Sequence, residues 1–182
     1  SLTVQSFGHD SLAWLRESGI VPENLRPAYF SVADDLMQVI DQRVQANPYK
    51  TIRLHGDLHV GNLLWRDESL YMVDMDDCRQ GPAIQDLWMM LSGDHNQRQG
   101  QLAELVEGYN VFYDFDPRQL ALIESLRTLR LIHYSAWLAR RWEDPAFPRH
   151  FPWFASERYW ADQVLTLREQ RAALDEPLLR LF

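Results

Sequence analysis

The chain has 182 residues, 46% of them hydrophobic, and a formal net charge of −8 at pH 7. This hydrophobic content is enough for one domain with a core, and it excludes an intrinsically disordered chain. The acidic balance argues against non-specific binding to nucleic acid or to an anionic membrane surface, and no apolar run approaches the roughly 18 residues of a membrane span.

The cysteine content and the N-terminus bear on where the protein works. A single cysteine, Cys78, excludes an internal disulfide framework and fits a reducing compartment, so we expect a cytoplasmic location. No basic-then-apolar secretory signal opens the chain. We expect a single domain over residues 1–182, a monomer, and neither a nucleic-acid nor a membrane partner.

The first quarter of the chain has the apolar spacing of helices. Residues 10–18 predict a short helix that Gly19 ends. Residues 27–46 predict a longer helix, which the dipeptide Asn47-Pro48 ends because the residue before a proline disfavours helical backbone. Residues 51–54 predict a short strand.

A β-hairpin is predicted next. Its strands are the apolar runs 62–65 and 70–73, on either side of a polar turn centred on Glu68. With that centre, Asn62 and Asp74 lie opposite each other, and opposed strand residues have Cα atoms about 4.5–5.5 Å apart. Both side chains would then reach one ion.

The rest of the chain predicts helices separated by short connections. They span residues 82–92, 97–114, 117–142 and 156–173, and a loop rich in proline and aromatic residues lies at 143–154. We therefore expect an α+β fold that is mainly α, with a small β-hairpin at the active site.

Chemistry-bearing residues surround the predicted hairpin. Residues 55–62 spell HGDLHVGN, and residues 73–77 spell VDMDD. Phosphoryl transfer requires mainly positioning and charge neutralisation, with one carboxylate that orients the attacking hydroxyl and accepts its proton. Asp57 suits that role, while Asn62 and Asp74 offer the hard oxygen ligands that Mg²⁺ prefers. The alternative is that Asp57 and Asn62 only cap turns in a polar loop.

These motifs resemble the protein-kinase-like superfamily, whose catalytic loop has the spacing H-x-D-x-x-x-x-N and is followed by a metal-binding Asp. HGDLHVGN with VDMDD is closest to the aminoglycoside/choline kinase branch. Downstream, DDCRQGPAIQDLWMMLSGD and LRLIHYSAWLARRWEDPAFPRHFPWF resemble the bacterial stress response kinase A family of ATP-dependent Ser/Thr protein kinases. The resemblance covers roughly residues 25–175.

The resemblance implies a protein-kinase-like C-terminal lobe that uses ATP and Mg²⁺. It makes Asp57 the catalytic base, and Asn62 and Asp74 the Mg²⁺ ligands. Asp76 either helps to bind a second metal ion or faces solvent, and the sequence leaves both possibilities open.

Two further residues are expected to support the loop. The resemblance makes Asp86 a buried carboxylate that braces the catalytic loop by hydrogen bonds, and burial on an apolar helix would demand such donors. An exposed helix edge is the alternative for Asp86. We expect His55 to order the loop by hydrogen bonds. Gly56 stands where the H-R-D loop has Arg, which predicts no switch by activation-loop phosphorylation.

The sequence also lacks parts that such a kinase uses. It contains no glycine-rich phosphate loop and no V-A-I-K-like strand, and its one lysine, Lys50, lies in a polar segment that we interpret as surface. We expect a C-terminal lobe without the N-terminal ATP-clamping lobe, and therefore a chain that is inactive alone.

Three functional hypotheses remain. The leading one is a Ser/Thr protein kinase of stress response kinase A type, with ATP and a protein as substrates. The second is a phosphotransferase that acts on a small hydroxyl-bearing molecule, of the aminoglycoside, choline or homoserine kind. The third is a catalytically silent binding module with a kinase fold.

Overall fold

The computed structural model describes residues 1–181, and helices dominate them. The chain divides into two compact units. The first contains residues 1–2, residues 47–123 and the terminal segment from Pro177, and the second contains residues 3–46 and 124–176. The predicted mainly α composition with small β elements is confirmed, while a single domain over residues 1–182 stays a prediction.

The described elements follow one another with short connections. The helices are α1 (Asp10–Ser18), α2 (Arg26–Ala46), α3 (Ile84–Trp88), α4 (His95–Asn110), α5 (Ile123–Arg140), α6 (Ala146–His150) and α7 (Glu157–Ala173). The strands are β1 (Ile52–Leu54), β2 (Leu63–Arg66), β3 (Ser69–Met72) and β4 (Arg79–Gly81). A π-helical turn, Gln5–His9, precedes α1, and 3₁₀ turns lie at Val60–Asn62, Met75–Asp77 and Pro117–Leu122.

Helices with clear end signals lie where the sequence predicts them. Gly19 adopts a left-handed conformation, with φ of 66°, directly after α1, as expected of a residue that ends a helix. The Ser156 side chain accepts a hydrogen bond from the Tyr159 N–H and so caps the start of α7. The predicted helices at 10–18, 27–46 and 156–173 are therefore confirmed to within one residue.

Four predicted elements differ from the structure. The helix predicted at 97–114 is α4, which begins two residues earlier and ends four residues earlier. The helix predicted at 82–92 is only the five-residue α3, because the chain leaves it in tight turns before Asp94 and Gln97 form a capping box at the start of α4. The helix predicted at 117–142 begins as the 3₁₀ turn after Asp116 and becomes α-helical only at Ile123. The loop predicted at 143–154 contains the short α6.

The second unit has a core of its own between helices. Helices α2 and α7 pack along each other, and the rings of Tyr29 and Trp160 meet edge to face with centroids 5.3 Å apart. Leu36 and Ile40 on α2 are fully buried. Burial raises the pKa of Tyr159 to about 12, because its hydroxyl lies inside this packing.

The first unit contains two separate pairs of antiparallel strands. Strand β1 pairs with β4, which places Leu54 opposite Arg79. Strand β4 is not predicted from the sequence, because its three residues, Arg-Gln-Gly, carry no alternation of apolar and polar side chains. The pairing matters because β1 leads directly into His55.

The second pair is the predicted hairpin, with a register that differs by one residue. Leu63 lies opposite Met72, so the turn is the dipeptide Asp67-Glu68, whose φ angles are both positive. Such two-residue turns match the natural twist of the strands. The hydrogen bond from Val73 N–H to Asn62 C=O continues this register. The prediction that Asn62 lies opposite Asp74 is therefore wrong by one residue.

No helix within residues 1–181 is both long and apolar enough to cross a lipid bilayer.

The buried position of Leu36 leads to a stability prediction. Leu36→Ala removes a side chain with no exposed surface and should lower the free energy of unfolding of the full chain by about 2–5 kcal/mol. The matched control is Leu165→Ala on α7, where the side chain is 56% exposed and a change below about 0.5 kcal/mol is expected. Chemical denaturation measures both, and equal losses would contradict the described core.

Candidate active site

His55 links the loop after β1 to the end of the hairpin. Its ring is buried, and Nε2 lies 2.8 Å from the carbonyl oxygen of Val73, to which it must donate. Nδ1 then accepts a hydrogen bond from the Asp57 N–H at 3.4 Å. Both contacts are satisfied by the neutral Nε2–H tautomer. One imidazole thus holds the backbone of Asp57 and the residue just before Asp74.

Asp86 on α3 holds the same loop from the other side. Its two carboxylate oxygens accept hydrogen bonds from consecutive backbone N–H groups, that of His55 at 2.7 Å and that of Gly56 at 2.9 Å. Burial raises the pKa of Asp86, and the two backbone hydrogen bonds oppose that rise because they favour the ionised carboxylate.

Gln85, the residue before Asp86, also holds Gly56. Its side-chain amide donates to the Gly56 carbonyl at 3.3 Å and accepts from the Trp88 indole N–H at 3.1 Å. Both backbone polar groups of Gly56 are therefore satisfied by neighbouring residues of α3. Helix α3 is fixed in turn by Gln119, whose side chain accepts from the Ile84 N–H at 3.2 Å.

Sequence reasoning missed these two glutamines. Gln85 and Gln119 are 2% and 5% exposed. A buried polar side chain on an apolar helix needs hydrogen-bond partners, and this signal points to Gln85 as well as to Asp86, the next residue. Nothing in the sequence pairs Gln119 with a helix start 35 residues away.

Asn62 joins the far end of the loop to Asp57. The Asn62 side chain is buried, and its Nδ2 donates to the Asp57 carbonyl at 3.0 Å. Because the amide nitrogen is used in this way, the amide oxygen Oδ1 is the atom that can bind a cation. The hydrogen bond from Asn62 to the Asp57 carbonyl closes a turn, which is the alternative role predicted for Asn62. The same hydrogen bond also orients the amide oxygen of Asn62.

The Asp57 side chain is mostly buried within this loop. It is 17% exposed, and one carboxylate oxygen is 3.8 Å from Nε2 of His59. Nδ1 of His59 accepts from the Gly61 N–H at 3.0 Å, so Nε2 carries the proton that faces Asp57. A carboxylate that keeps part of its surface exposed beside such a donor can still be reached by a hydroxyl.

Asp74 has an unusual backbone conformation. Its φ of 64° and ψ of 59° are left-handed, a conformation that is uncommon for residues other than glycine and that Asp tolerates better than most. Its side chain makes no capping hydrogen bond to the 3₁₀ turn Met75–Asp77 that it precedes. Asp74 is exposed, so its carboxylate is accessible to a ligand.

The two acidic residues after Met75 have different surroundings. Asp76 is exposed within the 3₁₀ turn, and the structure leaves both of its predicted roles open. The carboxylate and the carbonyl of Asp77 are both held by the guanidinium of Arg79.

The donor set of this site fits Mg²⁺. One amide oxygen and one carboxylate are hard ligands, and Mg²⁺ takes few protein ligands beside water and phosphate oxygens. No three His, Cys, Asp or Glu side chains cluster as a metal site within residues 1–181. An ion held by Asn62, Asp74 and phosphate does not require such a cluster, and the roles assigned to these residues stay predictions.

The contacts of Asp86 lead to a prediction about loop stability. Asp86→Ala leaves two buried N–H groups without their acceptor and should lower the free energy of unfolding by about 1–3 kcal/mol. Amide exchange at His55 and Gly56 should accelerate. The control Asp162→Ala removes only an exposed ion pair on α7 and should change stability by less than about 0.5 kcal/mol. Unchanged exchange at both loop amides would contradict the bracing role.

Comparison with known proteins places the chain beside kinases in sequence. The chain is 46% identical over 165 residues to stress response kinase A of Escherichia coli O157:H7. The aligned residues make up 91% of this chain and 50% of that protein. The same shares hold for stress response kinase A of Escherichia coli K12, at 45% identity, and for the serine/threonine protein kinase RdoA of Salmonella typhimurium LT2, at 46%. The predicted resemblance is confirmed, and the chain spans about half the length of the curated relatives it matches.

The family follows from a second comparison. The model of a phosphotransferase enzyme family matches residues 5–123, which include the loop at His55, the hairpin and the brace at Asp86. Since this match covers more than half of the 182 residues, and the side chains of the motif lie around one hydrogen-bonded loop, the chain belongs to the phosphotransferase enzyme family.

Proposed function

We propose that the full-length protein is an ATP- and Mg²⁺-dependent Ser/Thr protein kinase, and that this chain is its C-terminal lobe. The observation that carries the proposal is the fixed backbone on both sides of the reacting residues. His55 and Asp86 hold the loop before Asp57, while the Asn62 side chain holds its carbonyl. The name of one relative, the serine/threonine protein kinase RdoA, supports a protein as the phosphoacceptor.

Asp57 acts as the base in this proposal. Its carboxylate accepts a hydrogen bond from the attacking hydroxyl, orients it and takes its proton as the hydroxyl oxygen bonds to the γ-phosphorus and the bond from that phosphorus to the departing ADP breaks. The main-chain N–H and C=O of Asp57 are both held by neighbouring side chains. That fixation supports catalysis because the carboxylate does not have to be ordered during the reaction.

Asn62 and Asp74 would hold the metal. Bound Mg²⁺–ATP supplies the transferable phosphoryl group with part of its charge neutralised. The hydrogen bond from Asn62 to Asp57 directs the amide oxygen away from that carbonyl, and the left-handed backbone at Asp74 leaves its carboxylate uncommitted to the turn. The Nε2 of His55 holds the carbonyl of Val73, the residue just before Asp74, and so links Asp74 to the catalytic loop.

The exposed apolar side chains of the hairpin suit a binding surface for a nucleotide base. Trp65 and Leu70 lie opposite each other on one face and are 73% and 56% exposed, while Leu64 and Tyr71 form an exposed pair on the other. Apolar side chains exposed together commonly bind a partner. We propose that one of these faces contacts the adenine ring of ATP.

The phosphate clamp would have to come from outside this chain. Lys50 donates to the Tyr113 hydroxyl at 2.9 Å, and its ammonium lies 5.5 Å from the centre of that ring. Its one charge is therefore engaged at the surface. For this reason we propose that residues 1–182 alone turn over ATP very slowly. A cytoplasmic location and a monomeric state stay predictions.

A phosphotransfer assay tests the proposal. The full-length protein is incubated with labelled ATP and Mg²⁺, once with casein as a generic protein and once with a panel of aminoglycosides, choline and homoserine. We expect label on protein, and Asp57→Asn should lower the rate by about 10²–10⁴-fold because the base is lost. Asp162→Asn is the control, and residues 1–182 alone should give background label.

Each other outcome of this assay has a defined meaning. Label only on the small molecules would replace the protein-kinase proposal by the small-molecule alternative. No label on either class would favour the silent binding module. A normal rate for Asp57→Asn would reject Asp57 as the base.

Magnesium titration tests the metal ligands. Asp74→Ala should weaken the affinity of the full-length protein for Mg²⁺–ATP by about tenfold or more, which is roughly 1.4 kcal/mol of binding free energy. Since alanine costs about 1–2 kcal/mol in a left-handed conformation, Asp74→Asn is the second variant and avoids most of that strain. Calorimetry gives the affinity and circular dichroism the fold. Unchanged affinity in both variants would reject Asp74 as a ligand. Asp76→Ala should weaken the affinity if Asp76 binds a second metal ion and leave it unchanged if Asp76 only faces solvent.

A further inference from the structure

Gly56 allows an unusually close approach of two chain segments. Its φ is +88°, which side chains other than glycine rarely adopt. A Cβ atom at this position would overlap the carbonyl oxygen of Asp77 and would lie 2.9 Å from Nε and 3.1 Å from Cγ of Arg79. The space in front of the loop is therefore filled by Arg79 and by the end of the turn Met75–Asp77.

Arg79 holds that turn at its far end. Its Nε donates to the Asp77 carbonyl at 2.7 Å, and its Nη2 forms an ion pair with the Asp77 carboxylate. The Arg79 side chain is only 20% exposed. Its backbone lies on β4 opposite Leu54, one residue before the loop begins. One guanidinium thus fixes both the main chain and the side chain of Asp77.

The near end of the same turn is held by His55. The His55 ring binds the carbonyl of Val73, and Asp74 follows in its left-handed conformation without a capping contact of its own. The segment that carries Asp74 is therefore anchored at residue 73 and at residue 77. Both anchors belong to β1 and its loop or to the strand paired with β1.

We propose that Arg79 is a positioning residue that fixes the metal-binding turn against the catalytic loop, in the space that Gly56 leaves open. The proposal rests on the proposed function for the meaning of Asp74, but the contact itself does not. An arginine is required because its planar fork can donate to a carbonyl and a carboxylate at once, which a lysine ammonium does less well.

The competing explanation for the contact between Arg79 and Asp77 is a local ion pair between residues two apart in the chain. Such pairs on the surface contribute little, and they make no demand on a third residue. Arg118 offers a direct comparison, because it binds Asp116 at the same separation, at 2.8 Å, while its side chain is 68% exposed. The low exposure of Arg79 and the positive φ of Gly56 distinguish its pair from that of Arg118.

The test compares matched variants of the full chain without metal. Hydrogen exchange is followed at the Cys78 amide, which donates to the Met75 carbonyl at 3.2 Å within the turn. Arg79→Met should accelerate this exchange by about tenfold, and Arg79→Lys by less, because the turn then opens locally. Arg118→Met should leave it unchanged. Global unfolding, followed by circular dichroism, should stay as in the wild type in all variants.

A second readout uses the full-length protein. Arg79→Met should weaken Mg²⁺ affinity by about tenfold, as the loss of outer-shell supports does, and Arg79→Lys should restore part of it. Gly56→Ala should reproduce the phenotype of Arg79→Met, because the added Cβ would push away the Asp77 carbonyl and the Arg79 side chain. If it fails to fold, the comparison of Arg79→Lys with Arg79→Met still decides.

The failure of this proposal differs from that of the proposed function. Cys78 exchange within twofold of wild type in Arg79→Met, or equal acceleration in Arg118→Met, would overturn the positioning role even in an active kinase. A wild-type protein without phosphotransfer would reject the proposed function, while the exchange experiment would still support or overturn the contact between Arg79 and the turn.

Discussion

The candidate site depends on one carboxylate that receives two consecutive backbone N–H groups. Asp86 binds the N–H groups of His55 and Gly56, which fixes the direction in which the chain leaves β1. The His55 ring can reach Val73 only because its own backbone is held there. The positions of Asp57 and of the turn after Asp74 follow from these contacts. Loss of the carboxylate would therefore affect residues that it never touches.

Burying the Asp86 carboxylate costs free energy, and the surrounding hydrogen bonds reduce that cost. Burial works against the charge of Asp86 and raises its pKa, while the two N–H donors favour the ionised form. Gln85 satisfies the remaining polar group of Gly56, so the close approach of the loop to α3 leaves neither the N–H nor the C=O of Gly56 unpaired. The left-handed backbone at Asp74 is a second unfavourable feature of the same site. Contacts at both ends of its turn hold it in place.

Local signals predicted the parts of the fold that local interactions decide. Gly19 ends α1 and Ser156 begins α7 because each acts on backbone groups within a few residues. The hairpin was predicted with its centre one half-residue away, since the sequence does not reveal that Asp67 and Glu68 both take positive φ angles. Strand β4 was missed because its pairing partner lies 25 or more residues away and its own pattern is not strand-like. The short α3 reflects the cap that begins α4.

The sequence by itself determined which residues are candidates for the chemistry, because HGDLHVGN and the later Asp74 need only their types and spacing to match the kinase-like motif. It singled out Asp86 through the family resemblance but left an exposed helix edge open, and the structure supplied the two N–H donors. Only the tertiary structure decided which atoms meet. The pairing of β1 with β4, the support of α3 by Gln119 and the contact of Arg79 with the space at Gly56 join residues far apart in the chain. No local propensity encodes such distances, because they arise when separate segments pack together.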